Sequence, residues 1–134
     1  MITLYQFHWS HYVEKVRWAL DYKGVEWRAV DVDPLTKREM QHLSCRTTLD
    51  SGKQLQTVPT IHDEGTGAVV GESAAIMEYL ESTYPGPALY PTGEADRAEV
   101  RRWVLWLDST LGLAARRLAY TQIAVECPEL LAEL

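Results

Sequence analysis

At 134 residues the chain has room for one ordinary domain, or for a small domain with part of another. Thirteen basic against nineteen acidic residues give a net charge of -6 with no long run of either sign, which argues against the basic face that nucleic-acid binding requires. No apolar stretch approaches membrane-spanning length, so neither nucleic acid nor a membrane is expected as a partner. The chain opens on a strand-like run, with no leader expected. Its two cysteines, Cys45 and Cys127, lie far apart without metal-like spacing, so a soluble, cytoplasmic protein without a metal is the expectation.

In chain order, residues 2–7 read as a short, nearly continuous apolar strand. His8-Trp9-Ser10 is a turn, with Ser10 placed as N-cap of a helix whose inward stripe is Val13, Val16, Ala19 and Leu20 and whose C′ residue is Gly24. Residues 27–32 are a second strand. Asp33-Pro34 then pairs a cap with a first-turn proline, which predicts a less regular helix to about Leu43. The stretch from Cys45 to Thr57 is polar and loop-like, with a turn at 50–52. Residues 59–63 and 68–71 pair as a hairpin around Glu64-Gly65-Thr66-Gly67, and 73–83 form a helix with Ile76, Tyr79 and Leu80 inward. The order βαβαββα is that of an α/β thioredoxin-like domain, a mixed sheet with helices on its faces.

Three prolines and a glycine in residues 84–91 mark a stiff linker and the domain boundary, giving domains at 1–83 and 92–134. Beyond it the pattern is all helical: Val100, Trp103, Val104, Leu107 and Leu111 form an apolar stripe on a helix from Glu94. Gly112 is expected to interrupt that helix, helical text resumes to Tyr120 or beyond, and Pro128 opens a short helix at 129–134. The pairs Arg101-Arg102 and Arg116-Arg117 read as solvated faces.

Two motifs carry chemistry. A proline entering a buried strand at Val58-Pro59 lacks a sheet N–H, and a cis bond there turns the Val58 backbone outward to pair with an extended peptide. Glu72 and Ser73, just after Gly71, stand where a helix N-terminus offers unpaired N–H groups to a carboxylate. Backbone pairing at one end and carboxylate capture at the other point to a small peptide, glutathione. The plainer readings are an ordinary strand opening and an ordinary helix cap.

With Leu4-Tyr5, Ser10 heading a helix that contains Glu14-Lys15-Val16-Arg17-Trp18-Ala19-Leu20, Val58-Pro59-Thr60-Ile61, Glu72-Ser73-Ala74-Ala75-Ile76 and Leu89-Tyr90-Pro91 all in order, the chain resembles the glutathione S-transferases over essentially its whole length. The first domain is similar to serine-type members of the theta and zeta classes. The resemblance implies that glutathione is the co-substrate and that Ser10 contacts its sulfur. Val58 would pair through its backbone with the cysteinyl part, with Pro59 beside it in the glutathione site, and Glu72 and Ser73 would hold the γ-glutamyl group. One of Lys53, Gln54 and Gln56 is expected to reach the glycyl carboxylate. The window Ser10-His11-Tyr12-Val13 contains neither cysteine of a glutaredoxin-type site, so disulfide reduction through it is not expected. A serine hydroxyl donating to the sulfur instead favours the thiolate over a thiol of pKa about 8.5, and the dipole of the helix that Ser10 heads acts in the same direction.

Tyr5 is the rival sulfur contact, read as structural in this pattern. His8, Trp9, His11 and Tyr12 at the turn, with Trp106 on the later helix, are candidate lining for a small hydrophobic electrophile. Asp108, which some classes direct at the glutathione amine, reads first as a surface or capping acid. Family members are normally much longer, so the resemblance implies a shortened helical segment and an apolar stripe covered in a homodimer. The leading expectation is a glutathione transferase. The alternatives are a non-catalytic binding or assembly module and a glutathione-dependent isomerase or dehalogenase, the zeta-type Ser-Ser-Cys signature being absent.

Overall fold

The computed structural model describes residues 1–48 and 52–126, in two compact units that divide between Tyr90 and Pro91. The turn expected at 50–52 lies mostly outside these residues, as do Cys127 and the helix expected at 129–134.

The first unit is a mixed sheet with strand order β2-β1-β5-β6, where β1 is Ile2–Gln6, β2 Trp27–Asp31, β5 Thr60–Asp63 and β6 Val69–Gly71. β1 runs parallel to β2, with Leu4 opposite Ala29, and antiparallel to β5, with Leu4 opposite Ile61. The central strand is buried on both faces, and its two polar residues are satisfied there, Thr3 donating to Glu64 and Gln6 to Asp31. The pleat sends Ile2 and Leu4 to one side, into a core with Val13, Val16, Ala19 and Leu20 of α1 (His11–Tyr22) and with Ile61, Ile76 and Leu80. Tyr5 joins a smaller cluster with Val32, Met40 and Leu43. The expected inward faces of α1 and of α2 (Ser73–Thr83) match this packing, with Tyr79 only half-buried.

α1 ends in a Schellman arrangement. The Val25 N–H donates to the Leu20 carbonyl at 3.0 Å and the Gly24 N–H to Asp21 at 3.0 Å, while Gly24 adopts φ +66°.

The helix expected after Asp33-Pro34 does not form as such. Asp33 does cap a turn, its Oδ1 accepting from the N–H groups of Leu35 at 2.9 Å and Thr36 at 2.8 Å. Lys37 then enters the left-handed region at φ 48°, which an α-helix cannot pass through, and only a 3₁₀ turn, Arg38–Met40, follows. The polar stretch read as loop contains a short two-stranded ladder, β3 (Thr47–Thr48) against β4 (Gln54–Leu55), too brief to leave a pattern.

Residues 84–90 belong to the first unit. Lys23, buried at the end of α1, pairs with Glu81 of α2 at 3.0 Å and donates to the carbonyls of Tyr84 at 3.1 Å and Pro87 at 3.3 Å. Glu81 accepts from the Leu89 N–H at 2.9 Å. A buried ion pair is tolerable here because the chain saturates it with further hydrogen bonds.

The second unit pairs two helices, α3 (Glu94–Ser109) and α4 (Leu111–Glu126). They part at Thr110, two residues before the expected Gly112, and the Thr110 hydroxyl donates back to the Trp106 carbonyl at 2.5 Å. The apolar side chains of α3 lie largely in the open, with Trp103, Trp106 and Leu107 exposed, and Leu111, expected on the same stripe, is an exposed residue of α4 instead.

Asp63 is the polar anchor of the first unit. Fully buried, it accepts from the hydroxyls of Tyr79 and Tyr84 at 2.6 Å each and from the Gly65 N–H at 2.9 Å. Burial alone would raise its pKa, but the Tyr79, Tyr84 and Gly65 hydrogen bonds win and lower it from 3.8 to about 2. A depressed folded pKa gives stability that is present above the unfolded value and lost as pH falls toward the folded one. Asp63→Asn is therefore expected to flatten the fall in melting temperature between about pH 4 and pH 2. Tyr84→Phe is expected to cost about 2 kcal/mol at neutral pH. Thermal melts across that pH range check both.

Candidate functional site

The site is assembled from chain segments at one end of the sheet. The first is the turn from β1 into α1. Ser10 is the N-cap residue of α1 with extended backbone, its N–H donating to the Phe7 carbonyl at 3.0 Å and its carbonyl accepting from Glu14 at 3.0 Å. Its hydroxyl makes no capping bond, so it remains available to a ligand. Arg17 holds this turn from beneath. Its guanidinium donates to Gln6 Oε1 at 2.9 and 2.7 Å and to Glu14 Oε2 at 2.6 Å, and approaches the His8 carbonyl at 3.4 Å. Gln6 in turn donates to Asp31 at 2.8 Å, so the turn is tied to two strands and a helix.

The aromatic residues read from sequence do crowd this turn. Trp9 is exposed and stacks on Phe7 at 5.3 Å and 25°, and the rings of His11 and Tyr12 lie 4.1 Å apart. Trp106 belongs to the second unit, where its ring meets that of Trp103 edge-on at 5.7 Å. Tyr5, the rival to Ser10, is buried with its hydroxyl 3.3 Å from His42 Nε2. Burial raises its pKa above the ordinary phenol value, so it stays a protonated, structural group.

The second segment is the approach to β5. The Val58–Pro59 peptide is cis. Pairing with β1 and β6 begins at Thr60, and among the described residues neither the N–H nor the C=O of Val58 has a hydrogen-bond partner. Of the three loop residues expected near the glycyl carboxylate, Gln56 is already committed: its amide donates to the carbonyls of Met40 at 2.5 Å and Leu43 at 3.1 Å. Lys53 and Gln54 are exposed.

The third segment is the mouth of α2. Glu72, not Ser73, is the N-cap residue, at φ 67° and ψ 121°, and its side chain makes no capping bond. Ser73 is the first helical residue and is buried. Sequence reasoning missed two residues that meet here. Thr47 donates to Glu72 Oε1 at 2.5 Å, and its hydroxyl lies 2.7 Å from that of Thr57. Single hydroxyls in a polar loop carry no periodic signal, so nothing in the sequence marks them.

These three segments offer a free hydroxyl, an unpaired backbone amide and an open helix end, which is the donor and acceptor set a short acidic peptide needs. A family model described as "Glutathione S-transferase, N-terminal domain" matches residues 4–88. The chain belongs to the glutathione S-transferase family. It is similar to a probable glutathione S-transferase of Nicotiana tabacum, 32% identical over 107 residues, covering 80% of this chain and 44% of that protein. A maleylacetoacetate isomerase of Rattus norvegicus is 36% identical over 99 residues, covering 74% of this chain and 44% of that protein. Among solved structures, a glutathione transferase homologue from Burkholderia gl BGR1 with bound glutathione aligns at a TM-score of 0.63 and 26% identity, over 90% of this chain and 65% of that one. This transferase-family chain thus spans less than half of either curated relative. Among the described residues no cluster of acidic, histidine or cysteine side chains could hold a metal, and no helix is long and apolar enough to cross a membrane.

Gly71 sets the spacing before Glu72. A Cβ there would stand 2.7 Å from the Cys45 sulfur, inside any normal contact. Gly71→Ala is expected to cost about 1–3 kcal/mol, and adding Cys45→Ala is expected to recover most of it. A double-mutant cycle in urea unfolding checks this.

Proposed function

We propose that this chain binds reduced glutathione in its first unit and activates the thiol for attack on a small hydrophobic electrophile. The observation that carries the reading is the Ser10 hydroxyl, left without a capping bond at the head of a twelve-residue helix. In this reading Ser10 donates its hydrogen to the glutathione sulfur. The hydroxyl and the α1 N-terminus both favour negative charge there, lowering a thiol pKa that is otherwise about 8.5. The thiol proton passes to solvent, the thiolate forms a carbon–sulfur bond as a leaving group departs with its bonding pair (or as a conjugated double bond opens and takes up a proton from solvent), and Ser10 keeps its own proton throughout. Val58 offers its N–H and C=O to the cysteinyl backbone, with Pro59 fixing that strand entry. The N–H groups at the α2 mouth, with Ser73, receive the γ-glutamyl carboxylate. Lys53 or Gln54 meets the glycyl carboxylate, since the Gln56 amide is committed elsewhere. His8, Trp9, His11 and Tyr12 form the wall that an apolar or aromatic electrophile would meet first.

The fit of the site, the tobacco relative's name and the glutathione bound to the Burkholderia homologue all support this assignment. Detoxification of electrophiles in the cytosol, by a homodimer that covers the α3 stripe, is the physiological setting that suits it. A second reading, glutathione-dependent isomerisation, is favoured by the isomerase relative. It uses the same thiolate, which adds to a double bond and is expelled after rotation. A substrate that leaves with no net gain of glutathione distinguishes it, and binding without turnover on either substrate type indicates a non-catalytic module.

Ser10→Ala is expected to lower kcat/KM for conjugation by roughly a hundredfold and to move the half-maximal pH upward toward about 8.5. Steady-state kinetics across pH check this. Wild-type turnover in the variant would remove Ser10 from the mechanism.

A further inference from the structure

The contacts of Thr47 fix a direction. A carboxylate only accepts, so the 2.5 Å contact to Glu72 uses the single proton of the Thr47 hydroxyl. The 2.7 Å contact to Thr57 must then run the other way, with Thr57 donating to Thr47. The result is a relay, Thr57 to Thr47 to Glu72, whose bonds polarise one another. It begins at the residue before Val58 and ends at the mouth of α2, so it spans both halves of the proposed glutathione slot. Glu72 needs such a hold. Its side chain is exposed on a backbone at φ 67°, and among the described residues Thr47 is its partner. Without it, several rotamers would be open to the carboxylate.

An amino-acid head group carries an ammonium and a carboxylate on one carbon. A site for it therefore needs a fixed negative group beside an open helix N-terminus. Glu72 beside the first N–H groups of α2 provides that pairing.

We propose that Thr47 is a positioning residue, aiming the Glu72 carboxylate at the γ-glutamyl ammonium of glutathione, with Thr57 as the second member of the relay. The inference rests on the reading above that the first unit binds glutathione. The test is calorimetric titration of the wild-type chain and of Thr47→Val, Thr47→Ser, Thr57→Val and Glu72→Gln. Each is titrated with glutathione and with an analogue lacking the γ-glutamyl amine. The wild type is expected to prefer glutathione. Thr47→Val is expected to weaken glutathione roughly tenfold while leaving the analogue within about twofold. Thr47→Ser should retain the wild-type preference, Glu72→Gln should lose it, and Thr57→Val should fall between. If Thr47→Val does not fold, Thr57→Val carries the test with the same sign. Equal weakening of both ligands, or an unchanged preference in the valine variants, overturns the positioning role while leaving glutathione binding intact. A wild-type chain that binds neither ligand overturns the underlying reading instead.

Discussion

Sheet hydrogen bonding that stops at Thr60 is the constraint from which the site follows. Every buried backbone amide must find a partner, and β5 satisfies its own against β1 and β6 from Thr60 onward. Val58, two residues before that ladder, is left with both backbone groups open among the described residues. The same sheet ends β6 at Gly71, and α2 starts directly after it with its first N–H groups unpaired among the described residues. The parallel strand pair delivers the β1–α1 turn to the same end of the sheet. Three unsatisfied sets of polar groups therefore gather because of topology, and a short peptide with acidic ends can satisfy all three.

What surrounds the site is arranged to hold these ends still. Arg17 ties the Ser10 turn to Gln6 and Glu14, and the threonine relay joins the two sides of the peptide slot. Gln56 tethers the 3₁₀ turn to the approach to β5. Asp63, at the far end of β5, locks that strand to Tyr79 of α2 and to Tyr84 just beyond it. None of these residues needs to touch substrate to matter, since a site of this kind works only when its groups are preorganised.

The sequence was most legible where one physical rule acted alone. The α1 and α2 stripes followed helical periodicity, and Ser10 and Gly24 marked the ends of α1 as N-cap and C′ residues. Pro59 announced a special backbone setting because a buried strand cannot use a residue without an N–H. Legibility failed where two rules competed. Asp33-Pro34 is a sound helix opening, but Lys37 in the left-handed region ends the turn before a helix can grow. Gly112 has the lowest propensity in its neighbourhood, yet the break falls at Thr110, where both the hydroxyl and the N–H turn back onto the Trp106 carbonyl. The Thr47, Thr57 and Glu72 contacts join residues far apart in the chain through single hydroxyls, and no pattern in one sequence encodes such a meeting.

The central claim is that the first unit takes glutathione through Ser10, Val58 and the α2 mouth. Calorimetric titration of the purified chain with reduced glutathione tests it most directly. The account predicts saturable binding of one glutathione per chain. An isothermal trace with no saturable heat, under conditions where the chain is folded, would contradict it and leave these motifs as scaffold alone.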